Sequence, residues 1–504
     1  MRYPRAAGDA ARVVLGAGVL LAPALINGFP FLYFDTESYY LLGQSILNQL
    51  PGMDAAAPAV DAGPAAAAAP PAADTNDSLT YAGGRSAYYS LLVRLAALLT
   101  SFWPVAVIQA LLAAWLVWAA VRALRPARET ATYFAIMAVL TLASSLPYFA
   151  ALVMPDVFAG LAVLALTLLG LAPGRFGPLE KLGLLAVGAF SLTTHNSNLA
   201  LAGMVLVVLL AIGLWSGAGR GALLRGGGWA AGALVLALGA NTAYGTAVSL
   251  ALGEAPHNPP YLMARVLADG PGRLYLPQAC ASPPRPEICR HAGKPLDAAN
   301  DILWSADPAR GVFMTSDGAG RRRMIAQERA FVLGAVAAHP GEQAQASAAN
   351  SLRQVSAFSV SADVGLARAS WDQMSFETLV PWARDGAMGA LAYRGLFPFA
   401  AVDVAQYAAV LMALIFLGWR NLQPDVIAAA RRPGAERSAG ERERLVLLGL
   451  SVGLVLVLAG NAVVCASLSG AFDRYQARVI WLLPLWGMLV LARYGLGPAR
   501  AASA

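Results

Sequence analysis

The sequence predicts an all-helical protein that crosses a membrane many times, and three observations carry that reading. Hydrophobic residues fill 58% of the 504 positions and charged residues only 13%, against about 25% charged in soluble domains. Apolar runs of membrane-crossing length recur along the chain, since roughly 20 helical residues cover a hydrocarbon core of about 30 Å. Arginine gathers in alternate short loops, the pattern that marks the cytoplasmic side.

In order, the runs fall near residues 11–33, 103–121, 131–151, 157–173, 182–195, 198–215, 229–252, 398–418, 446–468 and 478–493, giving about ten spans. The first is too long for a signal-peptide core and leads into no small-residue cleavage site, so it reads as a retained span. The fifth and sixth are either two spans or one long helix, which would invert everything after them. Arginine arbitrates: Arg2, Arg5, Arg12, Arg122, Arg125, Arg128, Arg175, Arg220, Arg225 and Arg493 share one side when the stretch is split. Both termini are then cytoplasmic, in a membrane expected to be the inner membrane of a bacterium. The net charge of +7, with 34 arginines among 36 basic residues, suits orientation and contact with membrane lipid headgroups rather than a nucleic-acid footprint.

Three regions follow: a membrane core at 1–252 with seven spans, an extracytoplasmic and mainly helical domain at 253–397, and a C-terminal segment at 398–504 with three spans. The first external loop, 34–102, contains an Ala/Pro-rich insert that cannot build a packed core. Amphipathic pieces at 37–50 and 86–100 flank it and suit the membrane surface. In the external domain, helices are expected at 320–338 and 341–358, divided by His339-Pro340-Gly341. Cys280 and Cys289, nine apart around three prolines, read as a disulfide in an oxidising compartment or else as two unpaired thiols, with no zinc-ligand spacing nearby. Cys465 lies in an apolar run as a small hydrophobe.

The spans are almost free of charge, unlike the mid-membrane ion paths of pumps and transporters. Acidic residues collect at the outer ends instead: Asp35 and Glu37 after the first span, Asp156 in MPDVF, and Asp473 in FDRYQAR. Each has a plain structural alternative. Asp35 would cap a helix at 36–50 with Glu37 in its first turn, and Pro155-Asp156 would start a helix.

This order of elements resembles the GT-C class of integral-membrane glycosyltransferases. DTE at 35–37 is similar to the acidic motif of that class's first external loop, GGRSAYYSLLVRLAALL at 83–99 to the segment entering its second core helix, and LVMPDVFAGLAVLALTLL at 152–169 to its second acidic position. The likeness covers the first 250 residues and the loop topology; the Ala/Pro insert departs from it. It implies a polyprenyl-phosphate sugar donor and an extracytoplasmic acceptor that is a glycan, a lipid or a protein. On that footing Asp35 is the candidate base, with a pKa expected to be raised by partial desolvation, and Glu37 and Asp156 orient the acceptor. These three carboxylates would also hold a divalent cation, Mg or Mn, if one is used.

Arg85 and the pair Arg474 and Arg478, spaced i, i+4, are candidates for the donor phosphate; interfacial snorkelling with Asp473 as a counter-ion is the plain alternative. His195, in TTHNSN, is an acceptor or phosphate contact, or part of a polar turn. No Gly-rich nucleotide loop is visible. Competing functions are a transporter or flippase of a lipid-linked saccharide and an inactive assembly subunit on the same fold.

Overall fold

A computed structural model describes residues 3–49, 84–217, 220–365 and 381–495; the Ala/Pro insert lies outside them. The regular elements in these residues are helices, joined at one point by an isolated parallel bridge between Phe31 and Leu152. The N-terminal part runs α1 (Tyr3–Asn27), α2 (Phe34–Asn48), α3 (Ala87–Ala97), α4 (Trp103–Leu124), α5 (Glu129–Ala143), α6 (Leu146–Ala151), α7 (Val157–Leu171), α8 (Pro178–Thr193), α9 (Asn196–Ser216) and α10 (Arg220–Leu252). A middle part follows with α11 (Tyr261–Asp269), α12 (Pro271–Ala279), α13 (Ala299–Trp304), α14 (Gly318–Ala338) and α15 (Pro340–Ser356). The C-terminal part holds α16 (Pro381–Gly389), α17 (Phe399–Asn421), α18 (Pro424–Arg431), α19 (Ala439–Leu468), α20 (Asp473–Ile480) and α21 (Leu482–Tyr494).

Among the described residues, seven stretches are long and apolar enough to cross a membrane: Ala7–Asn27, α4, α9, Leu224–Leu252, α17, α19 and the joined pair α20–α21. The other three expected runs give shorter helices, so the count of ten is not reproduced. The run 131–151 breaks at Ser144, whose extended backbone ends α5. Its hydroxyl donates to the Leu140 carbonyl at 2.7 Å and accepts from Leu146 N–H, offering the chain an alternative to helix. Pro173 and Gly174 stop α7 at 15 residues. The stretch 182–215 forms two helices, α8 and α9, divided at Thr194 and His195.

Both helices pack against α7 and α10. Lys181 near the start of α8 lies over the Trp229 ring, while Gly170 at the end of α7 meets Leu209 late in α9. In a lipid surround, helices associate through close packing rather than water exclusion, and small residues make it possible here. Ala230, Ala233 and Ala237 are fully buried on α10. On α7, a Cβ added to Gly160 would lie 2.6 Å from the indole of Trp481, itself fully buried.

The flanking pieces of the first long loop, α2 and α3, pack on each other. A Cβ at Gly43 would come 2.3 Å from the Ser90 carbonyl oxygen, so only glycine permits this approach. The middle part has its own core, in which Met263, Leu267, Ile302, Phe313 and Phe331 meet, and Cys280 and Cys289 are disulfide-bonded at its edge. That core ends with α14. Beyond α15, Phe358, Val360, Val364, Ala383 and Ala387 pack into the membrane-helix core instead. The described residues on either side of 366–380 therefore contribute side chains to the bundle core.

Candidate functional site

Backbone pairing brings the first two acidic segments together. After α1, Phe31 N–H donates to the Ala151 carbonyl at 3.0 Å, and Val153 N–H donates to the Phe31 carbonyl at 2.9 Å. Thr36 closes the junction by donating from its hydroxyl to the Val153 carbonyl at 3.1 Å. The carbonyls freed where α6 ends are satisfied by buried Gln109, whose amide nitrogen donates to Ala150 at 3.1 Å and Leu152 at 2.8 Å. Tyr89 on α3 orients that amide, donating to Gln109 Oε1 at 3.0 Å. A buried carbonyl without such a partner would be costly in an apolar surround.

Asp35 does not cap α2. Tyr33 is the N-cap, its N–H donating to Thr36 Oγ1 at 3.0 Å, and Asp35 and Glu37 lie in the first turn, where the helix dipole favours negative charge. Asp35 is bracketed by two guanidinium groups. Arg85 Nη2 donates to Oδ1 at 2.7 Å and Arg474 Nη1 to Oδ2 at 3.4 Å. Their side chains retain 30% exposure at Asp35, 22% at Arg85 and 15% at Arg474, so this triad faces an opening. Arg474 also lies over the Tyr33 ring at 4.5 Å, and Arg85 over Trp304 of the middle part at 5.6 Å.

Burial disfavours the Asp35 carboxylate, but Arg85 and then Arg474 outweigh it and hold its pKa below the ordinary carboxylate value. This corrects the expected upward shift: desolvation acts as anticipated, and the two adjacent cations reverse its outcome.

Asp156 and Arg478 form a second, sealed pair on the same wall. Asp156 precedes α7 without a side-chain capping bond, and its Oδ1 lies 3.6 Å from Arg478 Nη1 with side-chain exposures of 6% and 1%. Arg478 Nη2 also donates to Ser197 Oγ at 2.7 Å and contacts Cys465 Sγ at 3.6 Å. The i, i+4 arginines of α20 thus serve different carboxylates, Arg474 the open one and Arg478 the buried one. His195 caps α9, its Nδ1 accepting from Ser197 N–H at 3.2 Å. Burial, with Arg478 and Arg474 nearby, pushes its pKa down to about 3, so it is a neutral imidazole at ordinary pH.

Asp473 is not the counter-ion of Arg474; its Oδ1 accepts from Ser359 N–H at 2.7 Å. The residue that sequence reading missed is Asp363. One of its oxygens accepts from Arg474 N–H at 2.7 Å, and the other from the Tyr33 hydroxyl at 3.4 Å. Burial raises its pKa against the pull of Arg474. Among the described residues no three His, Cys, Asp or Glu side chains converge as a metal site. A cation held by Asp35, Glu37 and Asp156 would have to displace the guanidinium groups that face Asp35 and Asp156.

Together these features define a class: a helical membrane protein with an arginine–carboxylate cluster at one end of its bundle. Comparison with family models, curated proteins and solved structures gives no match for the chain.

Proposed function

We propose that this chain is a GT-C-like integral-membrane glycosyltransferase, with about ten membrane-embedded helices and its site on the extracytoplasmic side. It moves a sugar from a polyprenyl-phosphate donor to a glycan, lipid or protein acceptor. The observation that carries the reading is Asp35 held between Arg85 and Arg474 at a partly open position. A phosphodiester donor brings an anion that competes with Asp35 for the same guanidinium groups. As they turn to the phosphate, Asp35 loses counter-charge and gains basicity.

Asp35 then takes the proton of the acceptor hydroxyl as its oxygen bonds to the anomeric carbon. The bond from that carbon to the phosphate oxygen breaks, polyprenyl monophosphate leaves on Arg85 and Arg474, and the anomeric centre inverts. Glu37, in the same helical turn, orients the acceptor. Asp156 and Arg478 support the wall from beneath, and neutral His195 is suited to a hydrogen bond rather than to ion pairing.

The test uses the purified full chain with a panel of synthetic polyprenyl-phosphate hexoses and pentoses, reading release of polyprenyl monophosphate and glycosylation of added acceptor. Donor-dependent release supports the proposal. Movement of intact lipid-linked saccharide across proteoliposomes without donor cleavage points to a flippase instead, and activity found only in a co-purifying enzyme points to an assembly subunit.

A further inference from the structure

A second feature lies along the same helices but away from Asp35. An apolar cavity of about 360 Å³ separates α7, α9, α19 and α21, within the roughly 300–1,000 Å³ range of small-molecule sites. Leu164, Leu168, Val205, Leu209, Leu454 and Leu489 supply much of its wall. Thr167 adds a hydroxyl, already donated to the Val163 carbonyl at 2.7 Å. The leucine and valine walls offer water no partners, so polar contact is confined to Thr167 and to the end at Arg175 and Glu443.

The cavity is set apart from the arginine–carboxylate cluster. Trp481, fully buried against Gly160, fills the space between the helices directly before the cavity begins at Val163 and Leu482. Its ionisable lining residues are Arg175 and Glu443, one α7 length, roughly 22 Å at 1.5 Å per residue, from Asp156. Glu443 is neutralised by Arg493 at 3.0 Å. Arg175 is exposed and makes no ion pair among the described residues, which leaves that end of the cavity cationic.

We infer that this cavity binds one acyl chain of an anionic membrane phospholipid whose phosphate rests on Arg175. The inference rests on these helices lying in a membrane and is independent of sugar transfer. Bilayer lipid is the apolar matter that surrounds such helices, and the unpaired guanidinium selects for negative charge among headgroups. Trp486 lines the same cavity and serves as a reporter.

The full chain is reconstituted in phosphatidylcholine vesicles containing increasing amounts of either dibrominated phosphatidylglycerol or dibrominated phosphatidylcholine. The Trp486 signal is the fluorescence of the protein minus that of Trp486→Phe. Quenching is expected to reach half-saturation at about fivefold lower mole fraction with the anionic lipid, the effect of one cation near the surface. Arg175→Gln should remove the preference, and Leu168→Phe with Val205→Phe should abolish saturable quenching by filling the void. Equal quenching by the two lipids in the unmodified protein, or saturable quenching that survives the filled cavity, overturns the inference. Native mass spectrometry of the unmodified protein and Arg175→Gln from an equal lipid mixture gives a check that does not depend on Trp486. One retained phosphatidylglycerol, lost in the variant, supports the site, and identical lipid retention in both overturns it.

Discussion

The charge balance at Asp35 gives the sharpest test of the proposed chemistry. Two guanidinium groups contact its carboxylate at 2.7 and 3.4 Å. At a charge separation near 4 Å and an effective dielectric of about 20, each attraction is on the order of 4 kcal/mol. Exposure of up to 30% screens part of it, and carboxylates beside one arginine are typically depressed by about 1–3 pKa units. The sign is definite. The folded-state pKa of Asp35 lies below its ordinary 3.8, so the ion pairs stabilise the fold above that value. Their contribution is lost as pH falls through the depressed pKa.

The acidic limb of the transfer rate should follow Asp35 in the donor complex. Arg474→Gln should move that limb upward, by less than the roughly 1–3 units of a direct arginine–carboxylate pair because the donor phosphate already draws that guanidinium away, while Asp35→Asn should erase it and lower the rate by roughly 10²–10⁴-fold. The assay is the initial rate of polyprenyl monophosphate release from pH 4 to 8 at saturating donor, with thermal midpoints checking the fold. An Asp35→Asn protein that keeps both the limb and the wild-type rate would refute the base assignment.

Other residues make separate demands. Asp156→Asn strands Arg478, 1% exposed, without its counter-charge, and should cost about 3–5 kcal/mol in unfolding experiments. Adding Arg478→Met should recover part of that loss, and no recovery would mean the pair is not what the stability depends on. His195, with its pKa depressed from 6.5 to about 3, binds more protons unfolded than folded between those values, so stability should fall as pH drops through that window. His195→Asn keeps a capping acceptor and should flatten this dependence in thermal melts. Cys280→Ser opens a loop of separation nine and should destabilise the middle part by about 2–3 kcal/mol. Local hydrogen exchange at Met263–Phe331 provides the readout, and unchanged exchange would argue against the bridge's contribution.

Much of the site's membership was legible because topology sorts residues by which end of a helix they occupy. Asp35 follows α1, Asp156 precedes α7, His195 precedes α9 and Arg474 opens α20, so alternating direction brings them to one end. Pairing was not legible. Nothing in the spacing of Arg474 and Arg478 says that one meets Asp35 and the other Asp156, because that depends on how α20 is rotated against α2 and α7. Asp363 was hidden for a similar reason: it lies 111 residues from Arg474, in a Ser-rich stretch with no periodic signal. The break at Ser144 was concealed by an apolar run that hydropathy alone reads as continuous.

The pairing of Phe31 with Ala151 and Val153 has a mechanical consequence. Asp35 and Asp156 sit on segments clamped by main-chain hydrogen bonds and by Gln109, so they behave as the fixed jaw of a vice. The facing jaw, residues 357–365, hangs on side chains: Asp473 holds Ser359, and Asp403 holds Val360 and Ser361. A molecule that displaced this second jaw would stretch contacts made by two carboxylates, while the main-chain clamp keeps the spacing between Asp35 and Asp156.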